Sequence, residues 1–463
     1  AESIVGELRP HAVLPPPNLH KAMKQLSRNF KEPVPPSGPA ESDLGTCLSG
    51  VPTAVVEEGG PGAAPAVAFG SSRRYSVLKG LRDAQYGSVK LVQLEGASPR
   101  TLVLKSYHRT LVARRFGRLS KNVIYEDAHS ELAIWAQLTS AGGHPNVARL
   151  LDIAQNESRI YAVTEYARHG DLFDFLEAHN FVMKLKMVQS FAAQAARGLA
   201  FLHRAQVAHR DVSLENLTLG LTHERYPVVR YIDFGLTKRM GFPSAPGYAQ
   251  LAVLPRSGKV AYMAPEVYAG VPCNPYAADV WSLGVCFFIM LTGRQPYEVP
   301  VPSHRQHQHK CHSDSDDAHS PPTAPPLVTM FDYLAAGRVV DVMRASGAHD
   351  TTIRRTAGLL AAMLNPDPAR RPTMDQVLGH PWISGALVPP DASVAAARQV
   401  DPSPAVAAFA ASVSVPAVPA MDVPCSTPTN LSDSGSDASM GGAASERKGF
   451  PSPTGTTLLA TGP

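Results

Sequence analysis

The chain has 463 residues, and its 44% hydrophobic content is sufficient for the core of one large two-lobed domain or of two ordinary domains. Lysine and arginine number 43 against 39 aspartates and glutamates, and the net charge of +4 creates no field that would indicate nucleic-acid binding. The five cysteines are scattered and form no CxxC pair, which argues against a disulfide framework or a thiolate zinc site. We therefore expect a protein of the reducing cytoplasm, or of the nucleus.

The sequence also argues against a membrane protein. Its amino-terminal stretch lacks the apolar core of a signal peptide. The longest apolar run, residues 283–291, is about half as long as a membrane-spanning helix requires. We expect this run to form a buried helix inside a folded domain, and we expect no membrane partner.

Proline marks the expected limits of the folded part. The 42 prolines crowd into the first 65 residues, residues 300–326 and the stretch after residue 387. Such composition is typical of linkers and tails. The expected segments are a disordered extension over residues 1–70, a folded domain over 71–385, a flexible insert within it at 300–327, and a disordered Ala/Pro/Ser-rich tail over 386–463.

Strand-like and helix-like segments occupy different parts of this domain. The strand-like segments are, in chain order, YSVLKG, YGSVKLVQL, TLVLKSY, VARLLDIA and RIYAVTEYA. A segment with helical periodicity lies between the third and fourth, at residues 125–138, and helical patterns dominate from Leu172 onward. The pattern predicts a small β-rich lobe over 71–167 with one main helix, a larger helical lobe over 168–385, and a ligand-binding cleft between them.

The helical lobe contains a group of polar residues suited to phosphoryl transfer. Asp211 follows His209 and Arg210, Asn216 stands shortly after it, and Asp233 begins the string DFG. Metal-bridged phosphates require hard oxygen ligands for magnesium, which Asp233 and Asn216 offer. A separate carboxylate must face the incoming hydroxyl, and we assign that role to Asp211.

These strings closely resemble the catalytic and magnesium loops of eukaryotic protein kinases. GKVAYMAPEVY and DVWSLGV, further downstream, resemble two more kinase signatures. The resemblance covers about residues 73–383 and implies an α+β fold of two lobes, ATP and Mg²⁺ as cofactors, and proteins as substrates. It also implies a buried ion pair between Glu266 and Arg371, and hydrogen bonds from the catalytic-loop backbone to Asp279.

The same resemblance assigns residues in the small lobe. Lys105 of VLK follows Val89 at the spacing of the lysine that contacts the α and β phosphates. That lysine needs a carboxylate to orient it. ELAIWAQL resembles the helix that carries it, which favours Glu131, with Glu126 as the second choice.

AVTEYARHGDL resembles the hinge that binds adenine. The resemblance makes Thr164 the gatekeeper residue. It makes the backbone from Glu165 to Ala167 the source of hydrogen-bond donors and acceptors for the base.

The loop that covers the nucleotide departs from the family pattern G-x-G-x-x-G-x-V. Gly87 and Val89 are in place, but Ala84 and Arg82 stand where the other glycines belong. Glycine lets backbone amides approach the phosphates closely. We therefore expect weakened clamping of the nucleotide.

A second departure concerns a catalytic cation. Ser213 stands where the family carries a lysine for the γ-phosphate, and Lys259 stands where it carries a threonine. We expect that the lysine and the hydroxyl residue have exchanged positions. Lys259 then reaches the γ-phosphate, and Ser213 supplies the hydroxyl that hydrogen-bonds to it. The alternative is a pseudokinase that binds nucleotide or partners as a scaffold, with Lys259 turned to solvent.

The string VSLE between HRD and the asparagine lacks the RAA or AAR of tyrosine kinases. The resemblance therefore implies a serine/threonine protein kinase, most like the calcium/calmodulin-dependent group. Asp171 and Glu215 match positions that often bind arginine upstream of the acceptor, which favours a basic substrate, although both are also typical of solvated carboxylates.

Arg210 resembles the arginine of kinases that an upstream kinase often activates through a phosphate in the following loop, and the resemblance implies such an activator here. The candidate acceptors in that loop are Thr237, Ser244, Tyr248 and Ser257, of which Ser257 is nearest the usual place.

The insert carries four histidines and a cysteine, residue types that bind zinc or copper. Their uneven spacing among Ser, Asp and Pro favours a flexible loop instead.

Overall fold

A seven-stranded antiparallel sheet forms the first lobe of the protein, which we describe from a computed structural model. The strands are β1 (Ala54–Glu57), β2 (Ala66–Phe69), β3 (Arg73–Ala84), β4 (Gly87–Leu94), β5 (Arg100–His108), β6 (Leu150–Gln155) and β7 (Arg159–Glu165). Their order in the sheet is β1-β2-β3-β4-β5-β7-β6. Strands β3 to β7 confirm the five strands predicted from the alternating segments.

The structure describes residues 48–413, except residues 49, 60–63, 72, 97–99, 115, 120–124, 223–225, 241–257, 297–338 and 399. The insert expected at 300–327 lies outside the described residues, as do residues 414–463.

The sheet closes on itself where its two edges meet. Thr53, just before β1, forms a parallel bridge with Gln155 at the end of β6. The backbone N–H of Gln155 donates to the carbonyl of Pro52 at 3.0 Å. The barrel has a hydrophobic core of its own, which includes Phe69 and Tyr75. Because the sheet is closed, one of its faces encloses a hydrophobic core.

Helix α2 (Ala128–Ser140) is the main helix of this lobe and follows the short α1 (Arg109–Arg114). The Asp127 carboxylate accepts hydrogen bonds from the backbone N–H groups of His129 and Ser130, both at 3.1 Å. This cap fixes the start of α2 three residues after the predicted start at 125. Glu131 consequently lies in the first turn of the helix.

The second lobe is mainly helical, as predicted. Its helices are α3 (Leu172–Ala178), α4 (Leu185–Arg204), α5 (Pro265–Ala269), α6 (Pro275–Thr292), α7 (Val339–Ala345), α8 (Asp350–Met363), α9 (Met374–Gly379) and α10 (Pro381–Ser384). Its short strands are β8 (Val207–Ala208), β9 (Leu217–Leu221), β10 (Pro227–Tyr231) and β11 (Lys238–Arg239). The two-lobed α+β architecture predicted from the sequence is confirmed.

Helix α6 contains the apolar run at residues 283–291. Within the described part of the chain, α6 is the one helix that is long and apolar enough to cross a membrane, and 78% of it is buried inside the protein. Packing within the lobe accounts for its apolar residues, which confirms the predicted buried helix.

The predicted limits of the ordered part were wrong at both ends. The extension over residues 1–70 contains β1 and β2, and the tail over 386–463 contains α11 (Asp391–Ala397) and α12 (Pro404–Ser412). Proline-rich flanks obscured these short elements. Each buries only a few side chains, so its hydrophobic pattern is too short to distinguish it from a linker.

The tail packs onto the first lobe. Helix α12 contacts α2 and β6, and its Val406 and Phe409 side chains are buried. The backbone N–H of Ser403 donates to the carbonyl of Leu151 at 2.8 Å. The Arg149 guanidinium donates to the carbonyl of Val400 at 3.0 Å. The tail thus covers the helix that carries Glu131.

We expect Phe409→Ala to lower the free energy of unfolding by about 3–5 kcal/mol, because it removes a buried aromatic side chain and leaves a cavity. Urea denaturation measures this. Phe116→Ala is the matched control, since the Phe116 side chain is 37% exposed and should contribute far less. Equal effects of the two substitutions would show that the tail does not stabilise the domain.

Candidate active site

The loop that carries Asp211 is anchored by one buried carboxylate. Asp279, in α6, accepts hydrogen bonds from the backbone N–H groups of His209 and Arg210 at 2.8 and 2.7 Å. Arg210 has a φ of 65°, which a non-glycine residue adopts only at a cost. The two hydrogen bonds hold the backbone in this conformation, and they confirm the predicted contact.

Asp211 and Asn216 are joined directly. The Asn216 side-chain amide donates to the backbone carbonyl and to the Oδ2 atom of Asp211, both at 2.7 Å. Asn216 is buried in a short 3-10 turn at residues 214–216. The amide nitrogen is therefore committed, and the amide oxygen is the group that remains for a metal ligand.

Lys105 bridges the two lobes. Its ammonium lies 2.6 Å from a carboxylate oxygen of Glu131 and 3.5 Å from one of Asp233. Burial lowers the pKa of Lys105, but Asp233 and Glu131 outweigh burial and raise it well above its usual value. The ion pair predicted between Lys105 and Glu131 is present in the structure.

Aromatic packing fixes the position of Asp233. The Phe234 ring is fully buried. It lies against Trp135 of α2 at 5.7 Å between ring centroids and against His209 at 5.8 Å. Asp233 itself has a φ of 65°. This contact across the lobes keeps the Asp233 carboxylate turned toward Lys105.

Nearby basic residues act on the pKa of Asp233. The Lys105 ammonium lowers the pKa of Asp233 to about 2 despite the opposing effect of burial, and Arg82 and Lys259 add to the lowering. Asp233 is therefore fully ionised near neutral pH. A carboxylate in this state is a hard oxygen ligand of the kind that Mg²⁺ prefers.

Glu126 also lines this part of the cleft. Burial raises its pKa to about 7, and the nearby Asp233 carboxylate adds to the effect. Within the described residues Glu126 forms no ion pair with Lys105. The ion pair is formed by Glu131, which was the first choice from the sequence.

Lys259 points into the cleft. Its ammonium donates to Ser213 Oγ at 2.9 Å and to Asp211 Oδ2 at 3.1 Å. Its backbone N–H donates to Asp211 Oδ1 at 3.0 Å. Burial lowers the pKa of Lys259, but Asp211 and Glu215 outweigh burial and raise it, so the ammonium remains charged. The contact expected for an exchanged pair is present.

Gly258 makes this close contact feasible. Its φ is 94°, and a Cβ atom at this position would lie 2.8 Å from the carbonyl oxygen of Arg210. A side chain would therefore push the segment that carries Lys259 away from Asp211.

The hinge residues lie at the end of β7. The Thr164 hydroxyl is buried and donates to the carbonyl of Arg149 at 2.9 Å. The Glu165 carboxylate accepts from Arg149 Nε at 3.1 Å and lies 3.7 Å from Arg398 Nε. Ala167, which completes the hinge, is partly exposed. Arg398 belongs to the tail, so the tail contacts the hinge as well as α2.

The loop predicted to cover the nucleotide is a tight turn between β3 and β4. A Cβ atom at Gly87 would lie 2.0 Å from the carbonyl oxygen of Ser106, so this glycine is required by the close approach of β5. The carbonyl of Gln85 accepts from the backbone N–H of Arg118 at 2.6 Å. Val89 is buried beside Lys105 in the register of β4 and β5. Contacts with Arg118 thus hold a turn that lacks two of the usual glycines.

Glu266 and Arg371 form the predicted buried ion pair. The two guanidinium nitrogens of Arg371 donate to the two carboxylate oxygens of Glu266 at 2.6 and 2.8 Å. Arg371 also donates to the carbonyl of Ala277 in α6 at 3.0 Å. The pair therefore links α5 to the helix that anchors the catalytic loop.

Of the four candidate phosphate acceptors, Thr237 alone lies within the described residues. Ser244, Tyr248 and Ser257 lie outside them. The Thr237 hydroxyl is buried and donates to the carbonyl of Phe234 at 2.6 Å, so it is not accessible to another kinase in this conformation.

Some residues of the site were not identified as contributors from the sequence. Arg82 was interpreted only as a missing glycine, although it lines the cleft. Arg398 lies in a segment expected to be disordered. A positive charge at a glycine position was the available signal for Arg82, whereas the sequence contains no comparable signal for Arg398.

These contacts line a polar cleft between the two lobes, and comparisons with known proteins identify the family to which such a cleft belongs. The profile of the protein kinase domain matches residues 98–383, more than half of the chain. The chain therefore belongs to the protein kinase family.

Similar proteins share only part of their length with this chain. The SNF-related serine/threonine-protein kinase of Rattus norvegicus is 26% identical over 264 residues, which are 57% of this chain and 28% of that protein. Serine/threonine-protein kinase PKZ1 of Phytophthora infestans (strain T30-4) is 29% identical over 297 residues, 61% of this chain and 64% of that protein. A calcium and calcium/calmodulin-dependent serine/threonine-protein kinase of Lilium longiflorum is 28% identical over 242 residues, 52% of this chain and 39% of that protein. The chain thus spans about a quarter of the SNF-related relative and about two fifths of the Lilium one.

We expect Arg371→Leu to destabilise the domain by about 3–5 kcal/mol, because it leaves the Glu266 carboxylate buried without its partner. Arg370→Leu is the matched control, since the side chain of Arg370 is 76% exposed and its pair with Asp367 is at the surface. The control should change stability by less than about 1 kcal/mol. Urea denaturation of both variants checks this, and equal midpoints would contradict a structural role for the buried pair.

Proposed function

We propose that this chain is an ATP-dependent protein serine/threonine kinase that transfers the γ-phosphate of ATP to hydroxyl groups of proteins. One observation carries the proposal. Two series of side-chain contacts lie in the cleft. One runs from Glu131 through Lys105 to Asp233. The other runs from Asn216 through Asp211 to Lys259. Membership of the kinase family and relatives that are named serine/threonine kinases support it.

Asp211 acts on the acceptor hydroxyl. Its Oδ2 atom accepts from Asn216 and from the Lys259 ammonium, and its Oδ1 atom accepts from the Lys259 backbone. These contacts fix the orientation of the carboxylate, so that it aligns the hydroxyl of the substrate and accepts its proton.

Lys105 and Lys259 supply positive charge where the phosphate groups bind. Lys105, held by Glu131, faces the α and β phosphates. Lys259, held by Ser213 and Asp211, replaces the missing lysine of the catalytic loop and faces the γ-phosphate. Both ammonium groups are preorganised, so neither needs to be reoriented during the reaction.

Asp233 and the Asn216 amide oxygen would hold Mg²⁺. When bound, this ion neutralises charge on the phosphates of ATP. The low pKa of Asp233 keeps its carboxylate available over the physiological pH range. The hinge backbone from Glu165 to Ala167, next to the buried Thr164, would bind adenine.

Substrates with arginine upstream of the acceptor fit the acidic side of the cleft. Asp171 caps α3, and its carboxylate accepts from the backbone N–H of Asp174 at 2.8 Å. Asp171, Asp174 and Glu215 are close enough to affect one another electrostatically. Three carboxylates in one place favour a cationic side chain.

We further propose that an upstream kinase regulates the chain through Arg210 and that it acts in the cytoplasm or nucleus. Balanced charge and the absence of a cysteine framework support this location. We propose no nucleic-acid or membrane partner.

Incorporation of labelled γ-phosphate into a basic protein, with Mg²⁺ present, tests the proposed activity. Asp211→Asn should lower kcat by about 10²-fold or more, because it removes the proton acceptor. Asp375→Asn, on a side chain that is 66% exposed in the same lobe, should leave kcat unchanged. A parent protein that binds ATP but transfers no phosphate would favour the scaffold role instead.

The pH dependence of substrate binding tests the acidic subsite. Burial raises the pKa of Asp171 to about 6, and Asp174 and Glu215 add to the effect. Above that pH the carboxylate is charged and attracts arginine, and below it the charge is lost. We expect KM for an arginine-containing peptide to rise severalfold between about pH 7.5 and pH 5.5.

Asp171→Asn should show a high KM for that peptide at both pH values, and a peptide with alanine in place of arginine should show little change with pH. An equally steep pH dependence in the variant would assign the effect to another group.

A further inference from the structure

A second cavity lies on the face of the first lobe that is turned away from the nucleotide cleft. Its volume is about 400 Å³, within the range of small-molecule sites. Its lining comprises the apolar Val56, Val67, Leu104 and Tyr161, the polar Ser88, Ser106, Asn156 and Ser158, and the cationic Lys90 and Arg159. We call it the barrel cavity.

Strand register places these side chains on one face. Lys90 is opposite Leu104, and Ser88 is opposite Ser106, in the pairing of β4 with β5. Opposing residues of antiparallel strands point to the same side, and neighbours along a strand point to opposite sides. Lys105, between Leu104 and Ser106, therefore faces the nucleotide while its neighbours face the barrel cavity.

Small side chains on β4 and β5, together with strands β1 and β2, form the cavity. Ser88 and Ser106 occupy opposing positions, with their hydroxyl groups 3.1 Å apart, where larger side chains would fill the space. Val56 of β1 is paired with Val67 of β2, and these two strands provide the opposite wall. Val67 is buried, whereas Val56 is 50% exposed at the mouth.

The cavity combines an apolar wall with unneutralised positive charge. No carboxylate is among the described residues that line it. Neither Lys90 nor Arg159 forms an ion pair with any residue in the described part of the chain. The Arg159 guanidinium donates to Ser106 Oγ at 3.3 Å, which turns it toward the buried serine at the cavity wall. Unpaired cations beside hydroxyl groups form a site for an anionic head group.

We propose that the barrel cavity binds an anionic amphiphile, with its head group held by Arg159, Lys90 and the serine hydroxyls and its hydrocarbon part against Leu104, Val67 and Tyr161. Apolar surface supplies affinity and the cations select the charge of the head group. Because Leu104 and Ser106 flank Lys105, a bound ligand contacts the strand that carries the nucleotide-binding lysine. Binding at this site does not depend on kinase activity.

Isothermal titration of the full chain with decanoate or decyl phosphate, each below its micellar concentration, tests the proposal. Decan-1-ol and decyltrimethylammonium carry the same chain with a neutral or positive head. We expect saturable binding of one decanoate or decyl phosphate per chain, about tenfold or more tighter than binding of either control. Absence of saturable anion binding, or equal binding of the cationic control, would overturn the proposal.

Variants locate the site. Arg159→Gln should weaken decanoate binding about tenfold, as expected for loss of a charge-assisted contact. Lys79→Gln makes the same change of charge at an exposed residue of β3 outside the cavity and should leave affinity unchanged. Ser88→Phe should fill the cavity and abolish binding, with its circular dichroism spectrum verifying the fold. Unchanged binding in Arg159→Gln or in Ser88→Phe would place the ligand elsewhere and overturn the assignment.

Discussion

The geometry of the cleft depends on the buried carboxylate of Asp279. It holds the backbone N–H groups of His209 and Arg210 and thereby stabilises a positive φ that the chain would otherwise avoid. That conformation presents Asp211 to the cleft. The carboxylate is in turn fixed by the packing of α6, to which the Glu266–Arg371 pair is joined through the carbonyl of Ala277. Residues remote from the proposed chemistry thus determine where the proposed catalytic base lies.

Charge balance is the second constraint on the site. Asp211, Asp233, Glu126 and Glu131 are too close to remain ionised together without cations. Lys105 and Lys259 supply the compensating positive charge, and Arg82 adds to it from the end of β3. In the proposed site, Lys259 from the segment before α5 supplies the positive charge that the family takes from a lysine of the catalytic loop. The tail contributes indirectly, because α12 packs on the helix that bears Glu131.

Sequence reasoning predicted the parts whose identity follows from local patterns. The five central strands were predicted correctly because alternation is a local property. The contact of Lys105 with Glu131 was expected from the resemblance of ELAIWAQL to the family's helix, and the structure contains it. Strands β1 and β2 and the tail helices were missed, since elements of four to nine residues depend on distant partners, such as Gln155 for the segment that begins β1 and α2 for α12. The contact of Lys259 with Ser213 was inferred from two unusual residues. The contacts of Lys259 with Asp211 and the role of Gly258 were not, because they depend on a close approach of two segments that are distant in the sequence.

A double-mutant cycle on Ser213 and Lys259 tests the central claim, that the Lys259 ammonium replaces the missing catalytic lysine. We expect Lys259→Thr alone to lower kcat by about 10²-fold or more, and Ser213→Lys alone to be impaired because two ammonium groups would be crowded together. The variant with both substitutions restores the arrangement common in the family and should recover a large part of kcat, so that the single effects are strongly non-additive. If the two single effects simply add, Lys259 and Ser213 do not share a function and the account of the site is wrong.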